Sequence, residues 1–471
     1  MLSCGALRWV ETTEVILRPA IVRDAVHGVS SVDSGLFQIL GTVEFQRLRW
    51  IRQTGLVCLV YPGAEHSRFT HSLGVYNVAD RLFEHLRTLS ANAGTWWGPS
   101  RPTEDLKKVF QAAALCHDLG HTAFSHLFEP ALLPHEVLTH EDCALAIVRE
   151  NSEIAEKLKN WCDHVQLLDL LTSKHWHHAL CSLVSGPHFD VDRWDYLLRD
   201  AHETGVSYGI YDLEWLIHSL QLHTSPERQP IIVLDGKRGA AALQQFLFAR
   251  RYMYRQVYFH RTVHAAQQLL RATFNRGMDP TRQGYAKEEE RSLVARPLRS
   301  VMFKRGRPTM GEFLETDDAA LLTTVRAWAA HSEDPLLRYL SDCFVRRRLP
   351  KLIDLGPSIE AGAAVVDSKV VERIRHAVRG SLSRNPQLSS TVNDDNALDY
   401  LVLQHAEEFE GSDIGTMPVY WNGKIRPLSN LREDVPEFHL LDEFVGSFKL
   451  FRLFVPEDTL GAVREELDER G

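Results

Sequence analysis

No two of the seven cysteines stand at Cys-x-x-Cys spacing, and their number is odd. That excludes a disulfide framework and a thiolate zinc site, and leaves reduced, mostly buried thiols. Cys116 beside His117 reads the same way, as a small apolar residue in a helix. The start of the chain lacks a basic segment followed by an apolar run, so no secretory signal is expected. No apolar stretch approaches the ~18–20 residues that a membrane-spanning helix requires. Net positive charge is missing too: at −9 the 471-residue chain has no global attraction for nucleic acid, which leaves only a local basic pocket to bind one. Internal repeats, heptads and low-complexity tracts are also absent. What remains is a soluble, cytoplasmic globular protein, 44% hydrophobic and 24% charged, long enough for a large core in two or three lobes.

Residues 13–40 alternate apolar and polar positions around Gly28 and Ser30–Ser31, as a short hairpin does before a helix begins. From Val43 to about Asn275 the pattern is helical, as in Phe45, Leu48 and Ile51, then Leu73, Val78, Leu82 and Leu86. Gly94–Pro102 reads as an exposed loop, and Gln229–Gly236 as a strand ending in a turn. Over 279–299 apolar periodicity gives way to charge, which marks a lobe boundary or a mobile connection. Beyond it the sequence predicts a helix around Asp318–Ala330, a basic run Arg346–Arg348, a helix from Val370 to Leu382 and a polar loop at Asn385–Asn396. A strand at Phe448–Val455 and a helix over 457–468 follow. The expectation is a mainly α protein: an N-terminal extension (1–20), a helical domain opened by the hairpin (21–278), a connecting segment (279–299) and a mixed α+β C-terminal lobe (300–471).

Histidine is what the chain concentrates. Eight of its 23 histidines lie between residues 66 and 140. Residues 115–126 alone, Leu-Cys-His-Asp-Leu-Gly-His-Thr-Ala-Phe-Ser-His, set His117 beside Asp118, with His121 and His126 just beyond. An adjacent His-Asp pair offers one neutral nitrogen and one hard anionic oxygen, which divalent transition metals accept together. The dipeptide by itself is a chance-level motif, and its surroundings give it weight. Phe110, Ala113, Ala114 and Leu115 lead in at helical spacing, so the pair ends a buried helix turn, and Gly120 lets the chain bend tightly.

Two more ligands must come from elsewhere. Upstream, a Pro62-Gly63 turn leads to Arg68 and His71, three apart and facing one way. An arginine held near a metal histidine suits a polyphosphate, whose oxygens its planar fork meets in pairs. Downstream, spacing of four places Asp192, Tyr196 and Asp200 on one face of a helix whose Trp194 and Leu197 imply burial. That face is then a cavity wall, and Asp192 completes a His-His-Asp-Asp shell. His175, His177 and His178 beside Trp176 lack periodicity and need no functional explanation.

Five ordered blocks carry a family resemblance. They are Phe45-Gln-Arg-Leu-Arg-Trp-Ile-Arg-Gln53, Pro62-Gly63-Ala64 through Arg68-Phe69 to His71-Ser-Leu-Gly74, His117 to His126, Asp190-Val-Asp-Arg-Trp-Asp-Tyr196, and Arg251-Tyr-Met-Tyr-Arg-Gln-Val-Tyr-Phe-His260. Through them the chain resembles the HD-domain phosphohydrolases, most closely the dNTP triphosphohydrolases of the SAM-and-HD-domain type and their bacterial relatives, from about Val22 to Asn275. The SAM domain has no counterpart ahead of residue 20. The resemblance implies an HD-type helical core with metal ligands at His71, His117, Asp118 and Asp192, the four that the residue chemistry also suggests. It implies catalytic histidines at His121, His126 and His140, with Glu129 as their acidic partner where close relatives carry aspartate. Triphosphate contacts fall on Arg68, Arg193 and Arg250 and sugar contacts on Gln53, Asp200 and Tyr258, with Tyr196 near the metal. The implied cofactor is a divalent metal (Mn, Mg, Fe or Zn). The implied partners are deoxynucleoside triphosphates, further copies of the chain in a dimer or tetramer, and an activating nucleotide at a subunit interface.

The reaction so implied is attack of a metal-polarised water on the α-phosphorus, releasing deoxynucleoside and intact triphosphate. Arginines neutralise the growing charge, and His126 held by Glu129, or a neighbouring histidine, protonates the departing 5′ oxygen. Tyr258 against the C2′ edge implies a preference for deoxyribose. One departure concerns regulation. Gly41 stands where regulated relatives carry an aspartate of the activator site and Arg23 where they carry asparagine, while Gln46 and Arg49 remain. Activation by a different nucleotide, or activity without an activator, is therefore expected. Two rivals share the metal shell: an HD-type nucleotidase or phosphodiesterase acting on other nucleotides or single-stranded nucleic acid, and a non-enzymatic nucleotide sensor. Three arginines and the net charge speak against the first. The second expects a lost ligand or acid, and none is lost.

Overall fold

A computed structural model gives the architecture. It describes residues 20–468 apart from 94–102, 135–136, 138, 150–151, 176, 226–228, 286, 304–306, 356–366, 410–413, 432–437 and 439–446. The N-terminal extension up to residue 19 and the loop expected at Gly94–Pro102 lie outside the described residues.

Among the described residues the chain is mainly α-helical with three small sheets. It opens on the expected hairpin, β1 (Ala20–Asp24) and β2 (Gly28–Val32), with Ala20 opposite Val32 and Asp24 opposite Gly28. The Asp24 carboxylate builds the turn by accepting from the backbone N–H groups of Val26 and His27, each at 2.8 Å. Gly28 closes it at a φ of +79°, a conformation that residues with a Cβ rarely adopt.

Three helices frame the site: Arg68–Ala93, Glu104–Cys116 and Val191–Thr204. Thr103 caps the second. Asp190 caps the third by accepting from the Arg193 N–H at 2.7 Å, and Gly205 ends it in the left-handed conformation. Val78 and Leu82, Phe110 and Ala113, and Trp194 and Leu197 bring their apolar stripes into one core. Where the first and third helices pack, Gly74 faces the Asp195–Arg199 ion pair so closely that a Cβ would overlap both side chains.

The remaining strands are β3 (Leu220–Thr224), β4 (Pro230–Asp235), β5 (Lys351–Leu352), β6 (Leu403–Phe409), β7 (Pro418–Trp421), β8 (Lys424–Pro427) and β9 (Phe448–Val455). The strand expected at Gln229–Gly236 is β4, but no turn ends it: Asp235 accepts from the Lys237 and Arg238 N–H groups and starts the helix Gly236–Met253. β4 pairs antiparallel with β3 and parallel with β7, so C-terminal strands complete a sheet begun in the catalytic region. β9 lies between β5 and β6 in the third sheet. The helices expected near Asp318–Ala330, Val370–Leu382 and 457–468 run Asp318–His331, Ser368–Leu382 and Leu460–Asp468.

The charged segment 279–299 is packed rather than loose. Val294 and Leu298 are buried, and the Arg282 guanidinium meets Glu290 at 2.8 Å with both side chains out of solvent. A second apolar core runs past it, joining Ala266 and Phe274 of the helix Arg261–Met278 to Trp328, Leu336, Ile374 and Val463. Periodicity fails here because the buried positions include an ion pair. Removing one member strands the other charge, so Glu290→Ala is expected to lower the unfolding free energy by ~3–5 kcal/mol. A thermal melt superimposed on that of the wild type would contradict this.

Candidate active site

Four side chains on three helices converge. His71 and Asp192 come from the first turns of Arg68–Ala93 and Val191–Thr204, while His117 and Asp118 follow directly on Glu104–Cys116. His71 Nε2 lies 3.0 Å from Asp192 Oδ1 and 3.5 Å from Asp118 Oδ2. His117 Nε2 lies 3.2 Å from Asp118 Oδ1 and 3.5 Å from Asp192 Oδ1. Both nitrogens are buried, and neither sits in hydrogen-bond geometry with these oxygens. The opposite ring nitrogens decide their role. His71 Nδ1 is 2.7 Å from Asp195 Oδ2, and His117 Nδ1 is 2.7 Å from the Ala114 carbonyl. Both acceptors require an N–H on Nδ1, which leaves a lone pair on each Nε2. His71, His117 and Asp118 offer ligand atoms within 4.8 Å of one another, and Asp192 Oδ1 lies 3.0 and 3.5 Å from the two imidazole nitrogens, a donor set that fits a divalent metal.

Beyond Asp118 the chain turns without a left-handed glycine. Gly120 lies in the expected bend, and it also serves proximity, since a Cβ there would collide with the His140 carbonyl and the Ala144 N–H. The left-handed residues are Phe124 and Ser125, at φ 52° and 57°. Such backbone is costly for residues with a Cβ and persists where neighbours hold it. Here Asp318 accepts from the Phe124 N–H at 2.7 Å, and Ser125 Oγ accepts from Arg68 Nη2 at 2.8 Å. Arg68 also donates to Asp118, which joins the strained turn to that candidate metal ligand.

His126, His140 and His121 gather around Glu129, with Nδ1 atoms 2.7, 3.1 and 3.7 Å from its Oε1. The rings of His121 and His140 stack at 3.9 Å, and His121 Nε2 reaches back to Asp118 Oδ1 at 3.1 Å. A cavity of about 710 Å³ opens over both groups, within the range of small-molecule sites. Every site residue expected from the sequence lines it except His71 and Glu129, which hold the others from behind. Asp200 is doubly engaged: Oδ1 lies 2.7 Å from His66 Nε2, and Oδ2 accepts from the Tyr258 hydroxyl at 2.6 Å. Tyr258 closes a π-helical turn, Tyr254–Tyr258, a distortion common at functional positions. Arg193 lies 3.2 Å from the Pro187 carbonyl and 3.4 Å from Asp190 Oδ2, while Arg250 sits over Tyr254 and Phe409. Gln53 and Tyr196 complete the wall. Gly41, Gln46 and Arg49 do not line the cavity; Arg49 donates to Gln46 Oε1 and stacks on Phe69. His175 and His177 accept backbone N–H bonds at the start of the helix His178–Ser185.

The HD domain model matches residues 68–199. The uncharacterized protein YwfO of Bacillus subtilis is 31% identical over 73% of this chain and 74% of its own length. The chain belongs to the HD-domain phosphohydrolases. Deoxynucleoside triphosphate triphosphohydrolase SAMHD1 of Xenopus laevis is 26% identical over 54% of this chain and 45% of its own, so the match spans about half of that relative. A solved phosphohydrolase from Bacteroides thetaiotaomicron superposes with a TM-score of 0.74 at 25% identity, over 93% of this chain and all of the other.

Charge in this HD site is strongly biased. Burial opposes a proton on His71, but the carboxylates of Asp192 and Asp195 outweigh it and raise its pKa to about 10. Against the same burial, Asp118 and Asp192 raise His117 to about 9. Burial also disfavours charge on Asp118 and Asp192, yet His117 and Arg68 hold the first well below the usual carboxylate range, and His117 and His71 lower the second. Burial and Arg68 push His121 down, which keeps it neutral. Glu129 stays charged against burial because His126 and His140 face it.

Asp195 is the functional residue that the sequence reading passes over. It lies three positions after Asp192, off the face picked out by spacing of four, and it orients His71 while His27 Nε2 at 2.6 Å and Arg199 at 2.8 Å hold it in turn. Replacing such a partner typically costs 10–100-fold in metal affinity, and that loss of Mn²⁺ binding is expected for Asp195→Asn by calorimetry. The carboxylates of Asp192 and Asp195 favour a proton on His71 that a metal would have to displace, so wild-type affinity should rise with pH. Equal affinity in the two proteins would contradict this assignment of Asp195.

Proposed function

We propose that the protein is a metal-dependent deoxynucleoside triphosphate triphosphohydrolase that converts dNTPs to deoxynucleoside and tripolyphosphate. The observation that carries this reading is the order of groups around one cavity: a His-His-Asp-Asp shell, a Glu129-held set of histidines, three arginines, and the Asp200–Tyr258 pair. His71, His117, Asp118 and Asp192 would hold a divalent ion, which would supply the Lewis acidity that makes water a nucleophile at neutral pH. The metal proposed is a divalent ion, Mn, Mg, Fe or Zn. Water adds to the α-phosphorus, the bond from phosphorus to the 5′ oxygen breaks, and that oxygen takes a proton.

His126 is the group suited to give that proton. Glu129 fixes it through Nδ1, which leaves Nε2 for the leaving oxygen. His121, neutral and turned to Asp118, positions the ligand carboxylate. Arg68, Arg193 and Arg250 supply charge for the triphosphate, and Arg68 is anchored by Ser125 and Asp118. Tyr258, tied down by Asp200, cannot swing aside for a 2′-hydroxyl, which favours deoxyribose. Assembly into a homo-oligomer belongs to the same proposal, as does the departure at Gly41 beside Gln46 and Arg49, with either activation by a different nucleotide or activity without an activator.

Purified protein incubated with Mn²⁺ and a mixture of dNTPs, NTPs, dNMPs and single-stranded DNA should yield deoxynucleosides and tripolyphosphate. Asp118→Ala should abolish both products, and His126→Ala should lower kcat by roughly 10²–10⁴, the range of a general acid. Intact dNTPs beside shortened DNA would mark a nuclease instead.

A further inference from the structure

The helix Val191–Thr204 is pinned to the chain around the start of Arg68–Ala93 at two points. His71 meets Asp195, and His66, five positions earlier, meets Asp200, five positions later. The first pair orients a candidate metal ligand. The second stands apart from it, because Asp200 lies eight residues beyond Asp192, about 12 Å along the helix. Asp200, Tyr258 and Gln53 line the cavity, whereas His66 does not and stands behind them. Its ring is buried, and Nδ1 has no hydrogen-bond partner among the described residues. Nε2 makes the one bond of the ring, 2.7 Å to Asp200 Oδ1, and an ionised carboxylate only accepts, so the proton sits on Nε2. A buried imidazole with half of its polar atoms unpaired adds little to stability. What the ring supplies is the placement of Asp200.

The main chain of His66 holds a second group. Its carbonyl accepts from the Gln53 N–H at 3.0 Å, next to the antiparallel bridge between Arg52 and Ser67. The buried Gln53 Oε1 has no hydrogen-bond partner among the described residues, which leaves an acceptor for a donor that a ligand brings.

We infer that His66 is a positioning residue for the sugar-facing wall, its ring fixing Asp200 and through it Tyr258, its carbonyl fixing Gln53; this rests on the triphosphohydrolase reading. It touches neither metal nor substrate. With Oδ1 bonded to His66, Asp200 is set in the rotamer that turns Oδ2 to the Tyr258 hydroxyl at 2.6 Å. The last torsion of an aspartate is soft. Without the imidazole donor, a carboxylate only 2% exposed turns to replace the lost bond, and Tyr258 moves with it.

Three variants test this. His66→Phe keeps the bulk of the ring without its donor, His66→Ala removes both, and His66→Gln keeps an amide donor at similar reach. Calorimetry on the Mn²⁺-loaded protein compares deoxyadenosine, which lacks phosphates, with tripolyphosphate, which lacks the sugar. His66→Phe and His66→Ala should each weaken deoxyadenosine binding about tenfold or more, the size of a lost hydrogen bond to a charged group, and move tripolyphosphate by less than about twofold. His66→Gln should recover most of the loss. With dATP as substrate the defect should raise KM more than it lowers kcat. Because the ring acts through Asp200 and Tyr258, His66→Phe joined to Tyr258→Phe should be no worse than the poorer single variant. Equal losses for the two ligands, unchanged deoxyadenosine binding, additive losses in the double variant, or unfolding of both ring-removing variants would each overturn the inference. A wild-type protein that hydrolyses no dNTP, yet binds deoxyadenosine in a way that needs His66, would overturn the proposed function and leave the role of His66 standing.

Discussion

The hydrogen bond between His71 Nδ1 and Asp195 is the constraint on which the rest of the site depends. It fixes the imidazole with its Nε2 lone pair turned toward His117, Asp118 and Asp192. A fully buried carboxylate can stay charged there only because it is surrounded: His27 takes one oxygen, Arg199 reaches both, and Arg199 in turn pairs with Asp24 at 2.9 Å. Asp24 and His27 belong to the hairpin, so its tight turn and the long helix carrying His71 are braced against each other through one residue. Gly74, one turn after His71, is small because that brace occupies the space a side chain would need.

A second brace works from the other side. Leu119 packs in the core of the framing helices, whereas Ala123, Phe124, Leu127 and Phe128 pack in the core built with C-terminal residues. The catalytic turn therefore lies at the seam of two apolar cores. Its two left-handed residues are held by Asp318, from the far side of that seam, and by Arg68, from the near side. Arg47 adds a further tie, donating to the carbonyls of His121 and Thr316. The C-terminal region thus contributes to the geometry of the candidate metal site through Asp318.

The parts legible in the sequence are those encoded locally. His117–Asp118 at the end of an apolar helix, Arg68 and His71 three apart, and Asp192, Tyr196 and Asp200 at spacing of four all depend on helical periodicity, and the structure brings all of them but His71, which lies behind its wall, to one cavity. The hairpin, β4, β9 and the C-terminal helices are likewise local patterns. The supports were hidden because they are long-range. Nothing near Asp318 announces that it clamps Phe124, and nothing in β7 announces its parallel partner β4. Segment 279–299 misleads for a related reason: burying Arg282 with Glu290 produces the charged signature of a connection. Gly120 shows the limit of residue-type rules, since glycine there answers to a neighbouring backbone rather than to its own φ.

The most direct measurement is anomalous diffraction from crystals grown with Mn²⁺. A single strong peak is expected at about 2.0–2.2 Å from His71 Nε2, His117 Nε2 and the carboxylates of Asp118 and Asp192, the spacing of nitrogen and oxygen ligands around such an ion. A peak lying instead between His126, His140 and Glu129, with His71 Nε2 bonded only to protein, would contradict the assignment of the metal shell.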